Sequence, residues 1–377
     1  MHADYSWLPD HQLHVAYTLA HADWLIDQTG NVLIDYLRPG PFEFVNVRDG
    51  ESEHVKIASV APLPEAVARL AADALNQLRA ALEHTVFAEV EFRLGRMLGK
   101  REARSIEMPA FTKPDAFLQW MTPVRTALLR TPNDGASLIR RIEALQPFHR
   151  QDFDCHPLRV LTEHTNSAKH RSPAVAATLV GMVIPDWSHP ELSLPAAPER
   201  AAEVGDVIAG APVGETIPLS IWPKVAIRRP HDGSWHVLMN ELGMLDDWVR
   251  TVAVPHLILG YSSVDPLPPQ LDTMIGPRDK RAALTSAGHT PAAARSASRI
   301  QAESLLPELV DIFVELSGVL PRETVRQWFE AISDDDLLGI QDRIFVAANL
   351  GDGGSALAET VRNLSASASV EYPDIFL

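Results

Sequence analysis

At 377 residues with 46% apolar side chains, the chain is long enough for two domains and can bury a core, which excludes a disordered protein. Its net charge of −16 argues against a general nucleic-acid or membrane coat and leaves a local basic patch as the place to look for an anionic ligand. The single cysteine, Cys155, excludes an intrachain disulfide and a multi-cysteine zinc site and suits a reducing cytoplasm. No basic-then-apolar leader opens the sequence and no run reaches the ~20 apolar residues of a membrane span, so a cytoplasmic protein without membrane contact is expected.

In chain order, Leu13, Ala16, Tyr17 and Ala20 would share one side of a helix that Trp24 and Leu25 continue, with His11, His14 and His21 on its solvent side. Asn31-Val32-Leu33-Ile34 after Gly30 reads as extended. Residues 42–47 and 54–60 alternate about an Arg48-Asp49-Gly50 turn and predict a hairpin. Pro62 and Pro64 then open a long helix, Leu63 to about Arg93, on which Leu63, Val67, Leu70, Ala74, Leu78 and Leu82 recur every three or four residues. Asn76, Arg79, Glu83 and His84 border that apolar side.

Prolines at 109, 114 and 123 divide the next stretch, where 115–120 reads as helical. Asn133-Asp134-Gly135 predicts a turn, followed by a helix from Ser137 to Gln146 that Pro147 stops. A helix from Leu158 to Arg171 follows, bounded by Pro157 and Pro173, with Asn166, Lys169 and His170 together on one side. Between 140 and 171, Arg140, Arg141, Arg150, Arg159, Lys169 and Arg171 outweigh Glu143, Asp152, Asp154 and Glu163, so this is the expected seat of an anion.

Strands are predicted at 177–184, 207–209, 216–219, 225–228 and 235–238, then a helix from Glu241 to about Val254 ended by Pro255. The Pro-rich and Ser/Ala-rich run 263–300 reads as a linker. Four helices fill 301–377, and Asp334-Asp335-Asp336 suits a helix N-terminus, where negative charge is favoured. The expected class is α+β: residues 1–262 as an α+β domain with a helical core, an N-terminal hairpin and a β-rich segment, then the linker, then a small helical domain at 301–377.

Four residues separate Arg79 from His84, and this spacing resembles the arginine-x4–6-histidine signature of HEPN domains, helical modules of RNA-cutting toxins and defence proteins. The wider pattern is similar to a set of uncharacterised bacterial and phage proteins: Leu75 to His84, then Leu145-Gln146-Pro147-Phe148, then the helix ending Lys169-His170-Arg171. The resemblance covers about 60–260, with Ala80 standing where a polar residue usually follows the arginine. It implies a HEPN-like helical core and a metal-independent, cofactor-free, homodimeric ribonuclease acting in phage defence or as a toxin. His84 would move a proton at the ribose 2′-oxygen or the leaving 5′-oxygen, Arg79 would hold the scissile phosphate, and Glu83 would orient one of them. Asn76, Asn166, Lys169, His170 and Arg171 would bind RNA or a nucleotide.

The same residues admit other readings. Arg79 and Glu83 at i, i+4 can form a structural pair tying two helices together. A nucleotide or other anion could sit there without chemistry. A sensor or scaffold without catalysis, recruiting a protein partner through 301–377, is the alternative from another class. Cys155, His156, His164 and His170 lack zinc spacing, and Lys169 and Arg171 would repel a cation, so no metal is expected.

Overall fold

The computed structural model describes residues 3–130, 137–170, 175–185, 190–215, 218–274, 276, 278–317, 320–350 and 354–376. The class is α+β. Two compact units divide at Ala293/Ala294.

The first unit begins with α1 (Leu13–Leu37), a hairpin of β1 (Phe42–Asp49) and β2 (Ser52–Val60), and α2 (Glu65–Leu94). Asn31–Ile34, expected as extended, instead completes α1, because Leu33 and Ile34 carry on the buried helical stripe of Leu19, Ile26 and Thr29. A long apolar stripe overrides the local β-preference of a four-residue run. α2 starts behind Pro64 and stops at Gly95, whose φ of +65° is a backbone state that favours glycine. α1 and α2 lie antiparallel: Gln12 at the start of α1 bonds the carbonyl of Thr85 near the end of α2, while the Tyr36 hydroxyl near the end of α1 donates to the carbonyl of Ala61 just before α2.

Short helices α3 (Lys100–Ala103), α4 (Pro114–Trp120), α5 (Pro123–Leu129) and α6 (Ser137–Ala144) follow, then α7 (Pro157–His170). The turn expected at 133–135 lies outside the described residues. Strands β3 (Ala176–Pro185), β4 (Val207–Pro212), β5 (Leu219–Arg228) and β6 (Trp235–Val237) complete two antiparallel three-stranded sheets, β1-β2-β4 and β3-β5-β6. Of the segments expected as separate strands at 216–219 and 225–228, Pro218 lies outside any strand, while Leu219 and residues 225–228 belong to the single strand β5. Pro223 sits inside it opposite Val180, next to a bulge at Gly181. There β6 no longer pairs with β5, so a residue without an N–H is tolerated. Any side chain at Gly181 would collide with the carbonyl of Trp222, a 2.6 Å approach for a Cβ.

α8 (Leu238–Trp248) runs into a π-helical turn, Val249–Ala253, and α9 (Val254–Leu259). Pro255, expected to end this helix, instead lies in the first turn of α9. The wider turn before it removes the clash and the missing donor that proline brings to a regular helix. Residues 263–300, expected as a linker, hold α10 (Lys280–Ser286) and the start of α11 (Ala292–Ser317), and they contribute Leu267, Leu271, Leu284 and Ala292 to the first unit's core. Buried Arg250 fixes them: its guanidinium pairs with Asp246 at 2.8 Å and donates to the carbonyls of Leu267, Pro268 and Leu19. Buried Asp23 of α1 accepts the Ala292 amide at 2.7 Å.

The second unit comprises the rest of α11 with α12 (Arg322–Ala331), α13 (Asp334–Ala348), α14 (Ser355–Glu371) and α15 (Pro373–Phe376) around Phe313, Val325, Trp328 and Phe329. Asp334, Asp335 and Asp336 occupy the first turn of α13, where Ser333 caps the Asp336 amide. Among the described residues of both units, no helix is long and apolar enough to cross a membrane.

His156, just before α7, is buried against Trp248, and its Nδ1 accepts the Leu158 amide at 3.1 Å. Burial first, then the charges of Arg150 and His149, lowers its pKa from 6.5 to about 4. Between those values the unfolded chain holds the proton and the folded one does not, so stability present above pH 6.5 is lost as pH falls towards 4, by on the order of 3 kcal/mol. Denaturant titrations at pH 7 and pH 4.5 are expected to show a smaller gap for His156→Asn, which keeps a capping acceptor but cannot titrate. An equal gap in both proteins would assign the acid sensitivity elsewhere.

Candidate functional site

α2 and α7 meet, and Arg79 lies where they do. Its guanidinium donates to the Thr162 hydroxyl on α7 at 2.9 Å and to the Met108 carbonyl, and it pairs with Glu83 at 2.7 Å. The other Glu83 oxygen accepts the Met108 amide at 2.7 Å. The Arg79 side chain is only 12% exposed, so its donors are directed into the protein rather than towards a cleft. Asn76, one turn before it, is half-buried, and its side-chain oxygen is sealed without a hydrogen-bond donor among the described residues. Asn166 and Lys169 are exposed on α7, one and two turns beyond Thr162. His170 is the last residue of α7, and Arg171 lies outside the described residues.

His84 is exposed and faces another way. Five residues along a helix turn a side chain by about 140°, which carries His84 from the α7 side of α2 to the α1 side. There its ring lies 6.0 Å from that of His14. The structure thus brings Arg79 and Glu83 together and separates them from His84.

His11, His14, His84, Phe87, Ala88, Glu91 and Phe92 line an open cleft of about 460 Å³ between the two helices. His11 is held from behind. Its Nε2 is 2.8 Å from Glu89, a buried carboxylate that also accepts from Gln12 and Arg93, and its ring stacks on Phe92 at 3.9 Å with the planes 5° apart. Glu91 is engaged by the backbone after α2, its carboxylate accepting the Leu98 amide at 2.7 Å. Lys280, at the start of α10, extends over the Tyr17 ring one turn from His14, with 5.8 Å between its Nζ and the ring centre.

His14 is tuned by this setting. Desolvation is the largest cause and the neighbouring His84 the next; together with His11 and Lys280 they lower its pKa below 6.5, against a hydrogen bond to the His11 backbone that raises it. A neutral imidazole with one nitrogen bonded to a carbonyl presents the other as a base. Among the described residues, no group of three or more His, Cys, Asp or Glu side chains is placed to hold a metal ion.

His11 and His14, expected on the solvent side of their helix, line the cleft, and Glu89 and Lys280 join them from outside any local pattern. The three-residue step between His11 and His14 was a usable signal, but their meeting with His84 depends on α1 lying antiparallel against α2.

The Arg79 cluster predicts a stability effect. Arg79→Ala leaves the buried Met108 carbonyl without its donor and Glu83 without its cation, and is expected to cost about 2–3 kcal/mol in urea denaturation. Arg79→Lys can keep the Glu83 pair but not span Met108 and Thr162 together, so it should recover part of the loss. A wild-type midpoint for Arg79→Ala would rule out the clamp.

Comparison of the chain with protein-family models, with curated proteins and with solved structures gives no match, so the meaning of the cleft rests on its own geometry.

Proposed function

We propose that the first unit is a metal-independent ribonuclease whose acid–base pair is His14 and His84. The observation that carries this reading is the pair itself: two imidazoles 6.0 Å apart at an open cleft, one of them held towards its neutral form. Cleavage of RNA next to a 2′-hydroxyl needs one base and one acid close enough to serve the same phosphate. His14 takes the 2′-OH proton, the 2′-oxygen attacks phosphorus, and the P–O5′ bond breaks as protonated His84 gives its proton to the leaving 5′-oxygen. The products are a 2′,3′-cyclic phosphate and a 5′-hydroxyl. Lys280 supplies the cation for the phosphate, the role first expected of Arg79. His84 keeps the role that the HEPN resemblance gave it. The pairing with His14 assembles two imidazoles within one chain, where that resemblance drew them from two copies of a homodimer.

The second reading is a non-catalytic scaffold, favoured by one observation: Arg79 and Glu83 spend their hydrogen bonds on Met108, Thr162 and each other.

Purified protein in excess EDTA is expected to cut single-stranded RNA to 2′,3′-cyclic ends, with His14→Ala and His84→Ala each lowering the rate by about 10²- to 10⁴-fold. The rate should rise with pH through a midpoint below 6.5, because His14 must be neutral to act and its imidazolium is disfavoured. Cleavage that survives both substitutions would rule out the His14–His84 pair, and its absence from the wild type would leave the scaffold reading standing.

A further inference from the structure

Phe92 lines the cleft, and a second exposed ring, Trp24, lies beyond it along α1. On α1, His14 and His21 are seven residues apart and so face the same way, about 10 Å from each other along the axis. Trp24 lies one turn further, stacked on His21 with ring centres 5.6 Å apart and planes 10° apart, and is 49% exposed. At the other end Phe92, 63% exposed, stacks on His11, which Glu89 fixes in turn. Each ring therefore keeps a face open to a ligand. Both are braced on one face by an imidazole, which fixes their planes before any ligand arrives. From His11 to Trp24 the axial span is about 20 Å, with the His14–His84 pair and Lys280 between the two rings.

We infer that Trp24 and Phe92 are base-stacking platforms that flank the histidine pair, so that the ligand is a nucleic-acid strand with unpaired bases. This rests on the ribonuclease reading for what happens at the phosphate, but the platforms act on the bases. A flat ring braced from behind offers one π-face to a base of any identity, and each such stack is worth about 1–3 kcal/mol. A duplex cannot use them, because its bases are already stacked and paired. The platforms therefore select strandedness rather than sequence, and they hold a strand on an acidic protein without a large basic surface.

The test separates binding from cleavage by using a fluorescein-labelled 2′-deoxy oligonucleotide of eight adenines, which lacks the nucleophile and cannot be cut by this route. Fluorescence anisotropy with the full chain is expected to show binding that Trp24→Ala and Phe92→Ala each weaken by about 5- to 100-fold, while Trp24→Phe retains most of it. An abasic oligonucleotide of equal length should bind weakly and equally to wild type and Trp24→Ala, and the same adenine strand annealed to its complement should bind like the abasic one. Both rings are exposed, so the variants should fold, which circular dichroism checks. Unchanged affinity in Trp24→Ala and Phe92→Ala, or equal affinity for single strand and duplex, overturns the platforms even if RNA is cut. Weakened binding in these variants upholds them even if no RNA is cut, a result that would count against the acid–base pair alone.

Discussion

The buried carboxylate of Glu89 is the constraint on which the candidate site depends. It sits 4% exposed between α1 and α2, with His11 and Gln12 reaching it from one side and Arg93 from its own helix. A buried carboxylate is tolerable only while donors satisfy it, so losing one of the three weakens what holds the two helices in place. Arg93 in turn bonds the Ser137 hydroxyl and ties α6 to the same point. The apolar stripes of two long helices favour contact but set their sliding position only loosely. The carboxylate sets it narrowly, since a slip of one turn, about 5.4 Å, would separate it from both partners before α1. The same register brings His14 opposite His84.

Arg250 imposes the second constraint, and it explains how a stretch rich in proline and alanine becomes part of a folded unit. A buried guanidinium must find acceptors for its donors. Asp246 and three backbone carbonyls, two of them in the 263–300 segment, supply them. Once this segment is held, α10 follows. Arg281 pairs with Asp10 at 2.6 Å and donates to the Leu8 carbonyl, so the start of α10 is drawn against the start of the chain. Lys280 is carried beside His14 by its neighbour's contacts, not by any of its own with the imidazole.

What could be read from the sequence follows from where the determining contacts lie. α2, α7, the β1–β2 hairpin and the helices after 300 carry their own signal, because periodicity of 3.6 or 2 reports a face buried by the element itself. The failures share a cause in distant groups. Residues 31–34 look extended alone and are helical because Leu33 and Ile34 extend a stripe begun at Val15. Pro255 would end a regular helix but follows a π-helical turn that no local pattern announces. Residues 263–300 have linker composition and are captured by Arg250. At the site the difference is sharper. Arg79 and His84 are close in sequence yet reach opposite neighbours, whereas His14 and His84 are seventy residues apart and face each other. Spacing along one helix reports which side chains share a face; it is silent on which faces of two helices meet.

How an acidic chain can present a site for an anion is then a question of local compensation. The carboxylates nearest the cleft are each occupied by internal donors: Glu89 by His11, Gln12 and Arg93, Glu91 by the Leu98 amide, Asp10 by Arg281. Fields from the rest of the surface fade beyond roughly 8 Å at physiological salt, so most of the −16 would not reach a phosphate at the proposed site by His14 and Lys280. What the long-range charge does remove is the general attraction that lets basic proteins hold nucleic acid by phosphates alone. An acidic protein must draw its affinity from uncharged contacts, and base stacking on Trp24 and Phe92 is a contact that salt and net charge affect little. On the proposed reading the net charge and the two exposed rings act together: the first would suppress indiscriminate binding, and the second would restore it where a strand offers open bases.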